Sequence, residues 1–217
     1  MSMPLSIAEV CRLAPVVPVL VVEEIAHAAP LARALVAGGL KALEVTLRTP
    51  AALEAIRIMA EAAPGAVVGA GTLRSPADVR AAREAGARFG VSPGLSARVL
   101  DAAEEAGLPM LPGVATPSEA MAGAERGLEI LKFFPAEANG GVPVLEAWAS
   151  PLKGLSFCPT GGIGAANAPD YLRLPNVLCV GGSWVAPRGL VAAGDWAAVT
   201  ALARTAAGLG AVVPARA

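Results

Sequence analysis

Several residue types that commonly build protein sites are scarce in this sequence. It has one histidine, three cysteines and, against fourteen arginines, only three lysines in 217 residues. The single histidine, His27, falls in a predicted helix where a surface or packing role is expected, so a histidine-based triad is excluded. The cysteines are odd in number and lack metal-ligand spacing, which predicts reduced, buried thiols in a cytoplasmic protein and no metal site. They are Cys11, Cys158 and Cys179.

Clustered charge and long apolar helices are also lacking. The net charge is −1, the isoelectric point is near 5.9, and no cluster of lysine and arginine is present. These features argue against nucleic acid or an anionic membrane surface as partner and leave a small neutral or acidic ligand open. The longest uncharged run, residues 154–169, is interrupted by glycines and a proline, so it cannot form a membrane-spanning helix. Residues 1–10 show no secretory signal pattern.

One pattern, an apolar strand-like run followed by a helix-like segment, recurs along the whole chain. The predicted strands are 16–22, 42–47, 66–70, 89–92, 109–112, 129–134, 155–159 and 176–180. The predicted helices are 24–36, 50–62, 76–84, 96–106, 117–125, 142–149, 166–172 and 195–209. Eight such units favour a (β/α)8 TIM barrel, a single α/β domain over residues 1–217, over the alternative of a flavodoxin-like open sheet. Capping-box spacing at residues 6–9 predicts a short N-terminal helix that caps one end of the barrel.

Three of the predicted helix starts place a hydroxyl residue directly before a proline. The three pairs are Thr49-Pro50, Ser75-Pro76 and Thr116-Pro117. Proline is favoured in the first helical turn, and a hydroxyl before it can accept a hydrogen bond from a free N–H group, so each hydroxyl is predicted to cap its helix. The loops before these helices follow strands, which places them at the carboxyl ends of the strands. In barrels of this kind that face carries the active site.

Lys132 is the first candidate for chemistry. It lies in the apolar segment Leu131-Lys132-Phe133-Phe134-Pro135, whereas arginine occupies nearly all other cationic positions of the chain. A desolvated amine can lose its proton and attack a carbonyl carbon, which a guanidinium cannot do. The alternative is a lysine that extends its ammonium group from the strand end into water. The segment alone does not choose between the two interpretations.

The second predicted strand adds a carboxylate and an arginine. In residues 43–48, alternation places leucine and valine on one face and Glu44, Thr46 and Arg48 on the other, toward the barrel interior. Lys132 and Phe134 share a face of the sixth strand and can also point inward. A structural ion pair between Glu44 and Arg48 is the alternative. Convergence of the three charged groups favours Schiff-base chemistry, in which the amine condenses with a keto group, the carboxylate moves protons and the arginine holds a substrate carboxylate.

Two pairs of adjacent glycines follow the seventh and eighth strands. They lie in Pro159-Thr160-Gly161-Gly162-Ile163 and Val180-Gly181-Gly182-Ser183-Trp184. Glycine lets backbone N–H groups approach an anion, and the loops after these two strands are the usual phosphate site of such barrels. A third segment, Gly69-Ala70-Gly71-Thr72, is not a dinucleotide fingerprint because the third glycine and the acidic residue are missing. Thr72, at the end of the third strand, could donate its hydroxyl to a bound carboxylate.

These motifs occur in the order found in a known enzyme family. The sequence resembles the class I aldolases that act on 2-keto-3-deoxy-6-phosphogluconate (KDPG) and 4-hydroxy-2-oxoglutarate (KHG). The similarity runs from about residue 16 to residue 196. It is carried by LEVTLRT (43–49), GAGT (69–72), SPG (92–94), KFFPAEANGG (132–141), PTGGI (159–163) and GGSW (181–184).

The resemblance implies a role for each matched residue. Lys132 would form the Schiff base, Glu44 would be the general acid and base, and Arg48 and Thr72 would hold the pyruvate carboxylate. The remaining implied site residues are Pro93, Phe134 and Thr160 in the pocket, and Gly161, Gly162, Gly182 and Ser183 around the phosphate. The resemblance also implies a homotrimer, a place in the Entner-Doudoroff pathway, and no cofactor or metal.

The predicted reaction cleaves KDPG to pyruvate and glyceraldehyde 3-phosphate, and KHG to pyruvate and glyoxylate. Three alternatives stay open at this point. They are an aldolase for the galactonate epimer, a sugar-phosphate isomerase or epimerase on the same barrel, and a phosphosugar-binding module without catalysis. The isomerase would use a carboxylate and phosphate loops but no nucleophilic lysine, so covalent chemistry at Lys132 discriminates between the enzyme classes.

Overall fold

The apolar runs of the sequence form strands, and the segments between them form helices. A computed structural model describes residues 5–209 of the chain. The strands are β1 (Val16–Leu20), β2 (Ala42–Thr46), β3 (Val67–Gly71), β4 (Gly90–Val91), β5 (Met110–Leu111), β6 (Gly113–Val114), β7 (Ile130–Phe133), β8 (Ser156–Pro159) and β9 (Val180–Gly182). The helices are α1 (Ile7–Arg12), α2 (Ile25–Ala37), α3 (Ala52–Ala62), α4 (Pro76–Glu84), α5 (Ala97–Glu105), α6 (Pro117–Glu125), α7 (Gly141–Trp148), α8 (Ala168–Leu172), α9 (Arg188–Ala192) and α10 (Trp196–Gly208). Within this range, none of the helices has the length and hydropathy needed to cross a bilayer.

All strand pairs are parallel, which confirms the predicted α/β class. Six strands form one sheet in the order β5-β4-β3-β2-β1-β9, and three form a second sheet in the order β6-β7-β8. Only Pro112 separates β5 from β6, and its carbonyl accepts a hydrogen bond from the Lys132 N–H at 2.8 Å. Proline has no N–H to donate to a ladder, which explains the interruption. Two isolated parallel bridges, Phe157–Val177 and Thr160–Gly181, link β8 to the segment that contains β9.

The strands are covered on both faces. Every residue of β1, β2, β3 and β7 is buried, as expected when parallel strands lie between other elements. Alternate strand residues pack on the helices in a first apolar cluster. The intervening residues point away from the helices and form a second cluster, which also includes Val10 and Cys11 of α1. The strand members of this second cluster are Val17, Ala42, Val67, Val91, Leu111, Ile130 and Cys158, and Phe89 and Cys179 belong to it from the positions just before β4 and β9.

Three of the four predicted side-chain caps are present at the helix N-termini, and one is absent. Ser6 and Glu9 form a capping box on α1, and the hydroxyls of Ser75 and Thr116 accept from N–H groups in the first turns of α4 and α6. The prediction for Thr49 is wrong, because α3 begins two residues later than predicted, at Ala52, after an N-cap without a side-chain hydrogen bond. The Thr49 hydroxyl instead donates to the carbonyl of Val22 at 2.5 Å.

The last βα unit also differs from the prediction. The strand predicted at 176–180 is displaced toward the C-terminus, because β9 covers Val180–Gly182. Asn176 lies in a turn, where its side-chain amide donates to the Leu145 carbonyl at 2.8 Å and anchors the chain before the strand begins. The five-residue helix α9 follows β9 and was not predicted.

The three cysteines meet in the second apolar cluster as free, buried thiols. This confirms the prediction of reduced, buried residues. Hydrogen bonds with Cys11 and Cys158, together with complete burial, raise the pKa of the Cys179 thiol well above its usual value. The thiolate is the reactive form of cysteine, so these residues are expected to be inert in the folded protein.

We expect the native thiols to resist modification by a disulfide reagent such as DTNB. At pH 8 all three should react at least about a hundredfold more slowly in the folded protein than in urea, because reaction requires opening of the cluster. The variant Ala197→Cys, which adds an exposed thiol on α10, provides the matched control and should react rapidly. Fast modification of a native cysteine without unfolding would contradict the observed burial.

Candidate active site

A charged pair lies buried between two strands. The Lys132 Nζ on β7 is 3.6 Å from the Glu44 Oε1 on β2, and the two side chains are only 5% and 4% exposed. The other two lysines, Lys41 and Lys153, are exposed. The alternative of a Lys132 side chain that extends into water is therefore wrong. Glu44 pairs with this lysine rather than with Arg48, whose side chain is exposed, so the alternative of a Glu44–Arg48 pair is also wrong.

Glycines on neighbouring strands allow close approaches around this pair. A Cβ atom on Gly71 of β3 would lie 2.2 Å from the Glu44 Oε1, which is well inside contact distance. On the other side, Lys132 is in register with Gly113 of β6, where a Cβ atom would lie 2.3 Å from the Pro93 carbonyl oxygen. Glycine inside a strand commonly marks a close approach of this kind. The side chain of Glu44 therefore depends on a missing side chain in the adjacent strand.

A cavity of about 430 Å³ opens beside the pair. It lies at the carboxyl ends of β1, β7, β8 and β9, the face that the sequence predicted for the site. The Phe134 ring forms part of its wall, and the Lys132 Nζ lies 5.0 Å from the centroid of that ring, within the range of a cation–π contact. The predicted site residues that line the cavity are Arg48, Phe134, Thr160, Gly161, Gly162, Gly182 and Ser183.

Four predicted site residues lie outside the cavity lining: the buried pair of Lys132 and Glu44, and Thr72 and Pro93. Thr72 is half-buried, and its hydroxyl accepts a hydrogen bond from the Arg48 Nε at 3.2 Å. Its backbone has a φ of +64°, which is unusual for a β-branched residue and is typical of functional sites where the surroundings hold a strained conformation. Pro93 is exposed, and its carbonyl contacts Gly113 rather than the cavity.

The first glycine pair forms a turn with free donors. Gly161 and Gly162 have φ values of +101° and +78°, which only glycine adopts readily. Within residues 5–209, neither N–H group donates a hydrogen bond, although both residues line the cavity. The Gly161 carbonyl accepts from the Glu137 N–H at 3.1 Å, so the turn is anchored from its outer side. Free N–H groups at a cavity wall are suited to an anion.

A hydrogen bond beneath this turn holds it in place. The side chain of Glu137 packs against Gly162, where an added Cβ would come within 2.6 Å of the Glu137 Cβ. The Glu137 Oε1 accepts a short hydrogen bond from the hydroxyl of Tyr171, a fully buried residue of α8. Burial and this hydrogen bond raise the pKa of the Tyr171 phenol, so it remains a donor throughout the neutral range. Glu137 and Tyr171 are 34 residues apart, so no local sequence pattern indicates this contact.

Several cavity residues were missed by the sequence analysis. They are Val19, Val21, Glu23, Glu24, His27, Trp184 and Arg188. His27, predicted on the surface or in packing, does pack edge-on against Trp196, with ring centroids 5.7 Å apart, but it also lines the cavity. The cavity residues around the end of β1 could have been predicted from the sequence, because the carboxyl ends of all strands in a parallel barrel meet at the face that carries the site.

No metal-binding group was found in the part of the chain that is described. Among residues 5–209, no three histidine, cysteine, aspartate or glutamate side chains are arranged to hold a metal ion. The groups at the candidate site are an amine, a carboxylate, a guanidinium and backbone N–H donors. Such a set can bind a dianionic molecule by its two ends and place a nucleophile between them.

Comparison with known proteins gives one consistent result. The family model for KDPG and KHG aldolase matches residues 7–202. The KHG/KDPG aldolase of Escherichia coli strain K12 is 54% identical over 192 residues, which cover 88% of this chain and 90% of that protein. The structure of the KDPG aldolase of Zymomonas mobilis ZM4 with 3-phosphoglycerate has a TM-score of 0.90 at 54% identity and covers 96% of this chain and 98% of that one. The KDPG aldolase of Legionella pneumophila, with pyruvate captured at low pH as a covalent carbinolamine intermediate, also has a TM-score of 0.90, at 43% identity, and covers 95% and 98% of the two chains.

We expect Gly71→Ala to disrupt the buried pair. Alanine is sterically allowed by the backbone there, but its Cβ would overlap the carboxylate of Glu44 and push it away from Lys132. Overpacking of this kind lowers the free energy of unfolding by about 1 to 3 kcal/mol, which urea denaturation measures. Gly65→Ala is the matched control, because nothing lies within 4 Å of its Cβ. Equal stability of the two variants would show that Glu44 does not occupy the space beside Gly71.

Proposed function

Because the chain belongs to the KDPG and KHG aldolase family, we propose that it is a class I aldolase, a carbon–carbon lyase that cleaves KDPG to pyruvate and glyceraldehyde 3-phosphate. It acts also on KHG, giving pyruvate and glyoxylate. The observation that carries the proposal is the buried contact of 3.6 Å between the amine of Lys132 and the carboxylate of Glu44. A Schiff-base aldolase needs such a nucleophile and such a proton carrier within reach of one carbon atom.

The reaction begins with attack by the Lys132 amine on C2 of the keto acid. Transfer of the ammonium proton to Glu44 leaves the uncharged amine, which adds to the carbonyl carbon. Glu44 then returns a proton to the C2 hydroxyl, which departs as water and leaves an iminium ion. The pyruvate carbinolamine captured in the Legionella pneumophila relative is the intermediate that precedes this loss of water. Its capture supports the same chemistry here.

Cleavage uses the iminium nitrogen as the acceptor of electrons. Glu44 takes the proton from the C4 hydroxyl, the C3–C4 bond breaks, and its electron pair moves toward the nitrogen. Glyceraldehyde 3-phosphate leaves, and the remaining enamine is protonated at C3. Hydrolysis then releases pyruvate and restores the amine of Lys132. Proton transfer by a positioned side chain of this kind contributes a factor on the order of 10² to 10⁴ in rate.

The two ends of the substrate bind on opposite sides of the lysine. Arg48 and Thr72, joined by a hydrogen bond of 3.2 Å, bind the carboxylate next to C2. Bidentate contact with a guanidinium suits a carboxylate, and the hydroxyl of Thr72 adds a donor. The pocket between the ends is formed by Pro93, Phe134 and Thr160. The phosphate binds to N–H groups and a hydroxyl at Gly161, Gly162, Gly182 and Ser183, four residues that line the cavity.

The alternative functions have less support. The named relatives act, by their names, on KDPG and KHG rather than on the galactonate epimer. A sugar-phosphate isomerase or epimerase would not require a buried lysine beside its carboxylate. A binding module without catalysis would leave a buried charged pair without a use, and such pairs rarely stabilise a fold in net terms.

We also infer that the two sheets close into one (β/α)8 barrel, in a single domain that α1 caps. The bridges Phe157–Val177 and Thr160–Gly181 connect two of the open edges. At the other two edges, β5 and β6 are consecutive segments on either side of Pro112, and joining them leaves eight strands. The packing of α1 on the second apolar cluster supports its role as a cap.

Family membership supports a homotrimer, and the free thiols support a cytoplasmic location. Buried cysteines without a disulfide suit a reducing compartment. The substrate KDPG places the enzyme in the Entner-Doudoroff pathway. No cofactor, metal, nucleic acid or membrane enters the proposed reaction.

Borohydride reduction in the presence of pyruvate tests the proposed nucleophile. We expect a pyruvate-derived mass on the peptide that contains Lys132, because reduction converts the imine into a stable amine. The variant Lys132→Arg should show neither this adduct nor pyruvate release from KDPG, since a guanidinium does not condense with the keto group.

Lys153→Arg is the matched control, because that lysine is exposed, and it should keep both the adduct and the activity. Thermal unfolding checks that the Lys132→Arg variant is folded. An adduct at Lys41 or Lys153, or pyruvate release by a folded Lys132→Arg protein, would refute the assignment.

Light scattering after gel filtration tests the assembly. A homotrimer should give a mass about three times the 21.6 kDa of the chain, and the mass should stay constant on dilution because obligate subunit interfaces are extensive. A mass of one or two chains at assay concentration would rule out the trimer.

A further inference from the structure

An ion pair spans the rim of the cavity. The Arg188 Nη2, at the start of α9, donates to the Glu23 Oε1, which follows β1. Both side chains line the cavity that contains the glycine pairs. They are 79% and 54% exposed, so the pair is hydrated and either partner can turn away. The two residues are 165 positions apart in sequence, and the fold alone brings them together.

The other charges around the cavity are already engaged. Arg48 is hydrogen-bonded to Thr72 at the end assigned to the carboxylate. The His27 Nε2 lies 3.9 Å from a carboxylate oxygen of Glu24, and its ring contacts Trp196. Among residues 5–209, Arg188 is therefore the cavity cation whose one side-chain partner is a single, exposed carboxylate. It is the side chain best able to change partners at the end assigned to the phosphate.

Resting on the proposed function, we propose that Arg188 is a specificity residue that exchanges Glu23 for the phosphate of KDPG. An exposed carboxylate–guanidinium pair contributes little free energy, so breaking it costs little. A phosphate dianion offers the guanidinium a stronger, bidentate partner. Glu23 has two effects in this arrangement. It holds Arg188 over the empty cavity, and it competes with the phosphate when substrate arrives.

Comparing the two substrates of the proposed enzyme distinguishes phosphate binding by Arg188 from an effect on bond cleavage. In KDPG the phosphate lies on C6, beyond the bond that is cleaved, and can reach the rim. KHG ends in a carboxylate on C4 and has no group that extends to the rim. A contact between Arg188 and the phosphate should therefore affect KDPG and leave KHG largely unaffected.

Steady-state assays of pyruvate release with both substrates test the proposal. For Arg188→Ala, KM for KDPG should rise roughly fivefold to twentyfold. This range lies between the losses of binding expected on removing an exposed ion pair and on removing a hydrogen bond to a charged group. KM for KHG should change less than about twofold. For Glu23→Gln, KM for KDPG should instead fall by about twofold to fivefold, because the competing charge is removed.

The opposite direction of the two effects is the decisive result. If the pair served only to stabilise the rim, both substitutions would change KM in the same direction and for both substrates, which would overturn the proposal. An unchanged KM for KDPG in Arg188→Ala would also overturn it. Arg57→Ala is the matched control, because Arg57 is an exposed arginine paired with Glu54 away from the cavity. Absence of pyruvate release by the unaltered protein would instead refute the proposed function.

Discussion

The buried contact between Lys132 and Glu44 is the constraint on which the rest of the site depends. Removing two charges from water carries a large desolvation cost, and their mutual attraction offsets it only when the two groups are well placed. The placement here depends on strand register and on glycines rather than on the pair itself. Gly71 leaves space for the carboxylate, and the alternation of β2 and β7 turns both side chains away from the helices. A pair with little net benefit to stability is best explained by its use in chemistry.

The remaining groups of the candidate site lie around this pair and are held by different kinds of contact. The end that we propose for the carboxylate uses Thr72, which has a positive φ and accepts a hydrogen bond from Arg48. The end that we propose for the phosphate uses backbone donors in a turn that Glu137 and Tyr171 support from below. Backbone donors need no side-chain ordering when an anion binds. Strand packing thus positions the buried Lys132–Glu44 pair, whereas loop hydrogen bonds position the groups around the cavity.

The sequence was most informative where a structural period fixes the direction of a side chain. Alternation in β2 correctly placed Glu44 away from the helices, and the scarcity of lysine singled out Lys132, the one buried lysine. Prediction failed where a side chain hydrogen-bonds to a residue that is distant in sequence instead of to its own neighbours. Thr49 precedes a proline, as helix-capping residues often do, but its hydroxyl donates to the carbonyl of Val22 in a different βα unit. The contact between Glu23 and Arg188 leaves no local pattern at all, because it exists only when the loop after β1 meets the start of α9 at the rim.

The amine of Lys132 is buried and lies 5.0 Å from the centroid of the Phe134 ring, whereas Glu23 and Arg188, which line the cavity, are exposed. In the reverse direction, in which a carbon–carbon bond is formed, the two reactants therefore meet unequal restrictions. The nucleophilic partner must reach the buried amine beside the Phe134 ring, which favours a small keto acid such as pyruvate. The aldehyde partner occupies the open side, where chain length and substituents can vary. In synthesis, we therefore expect this protein to be strict about the donor and tolerant of the acceptor.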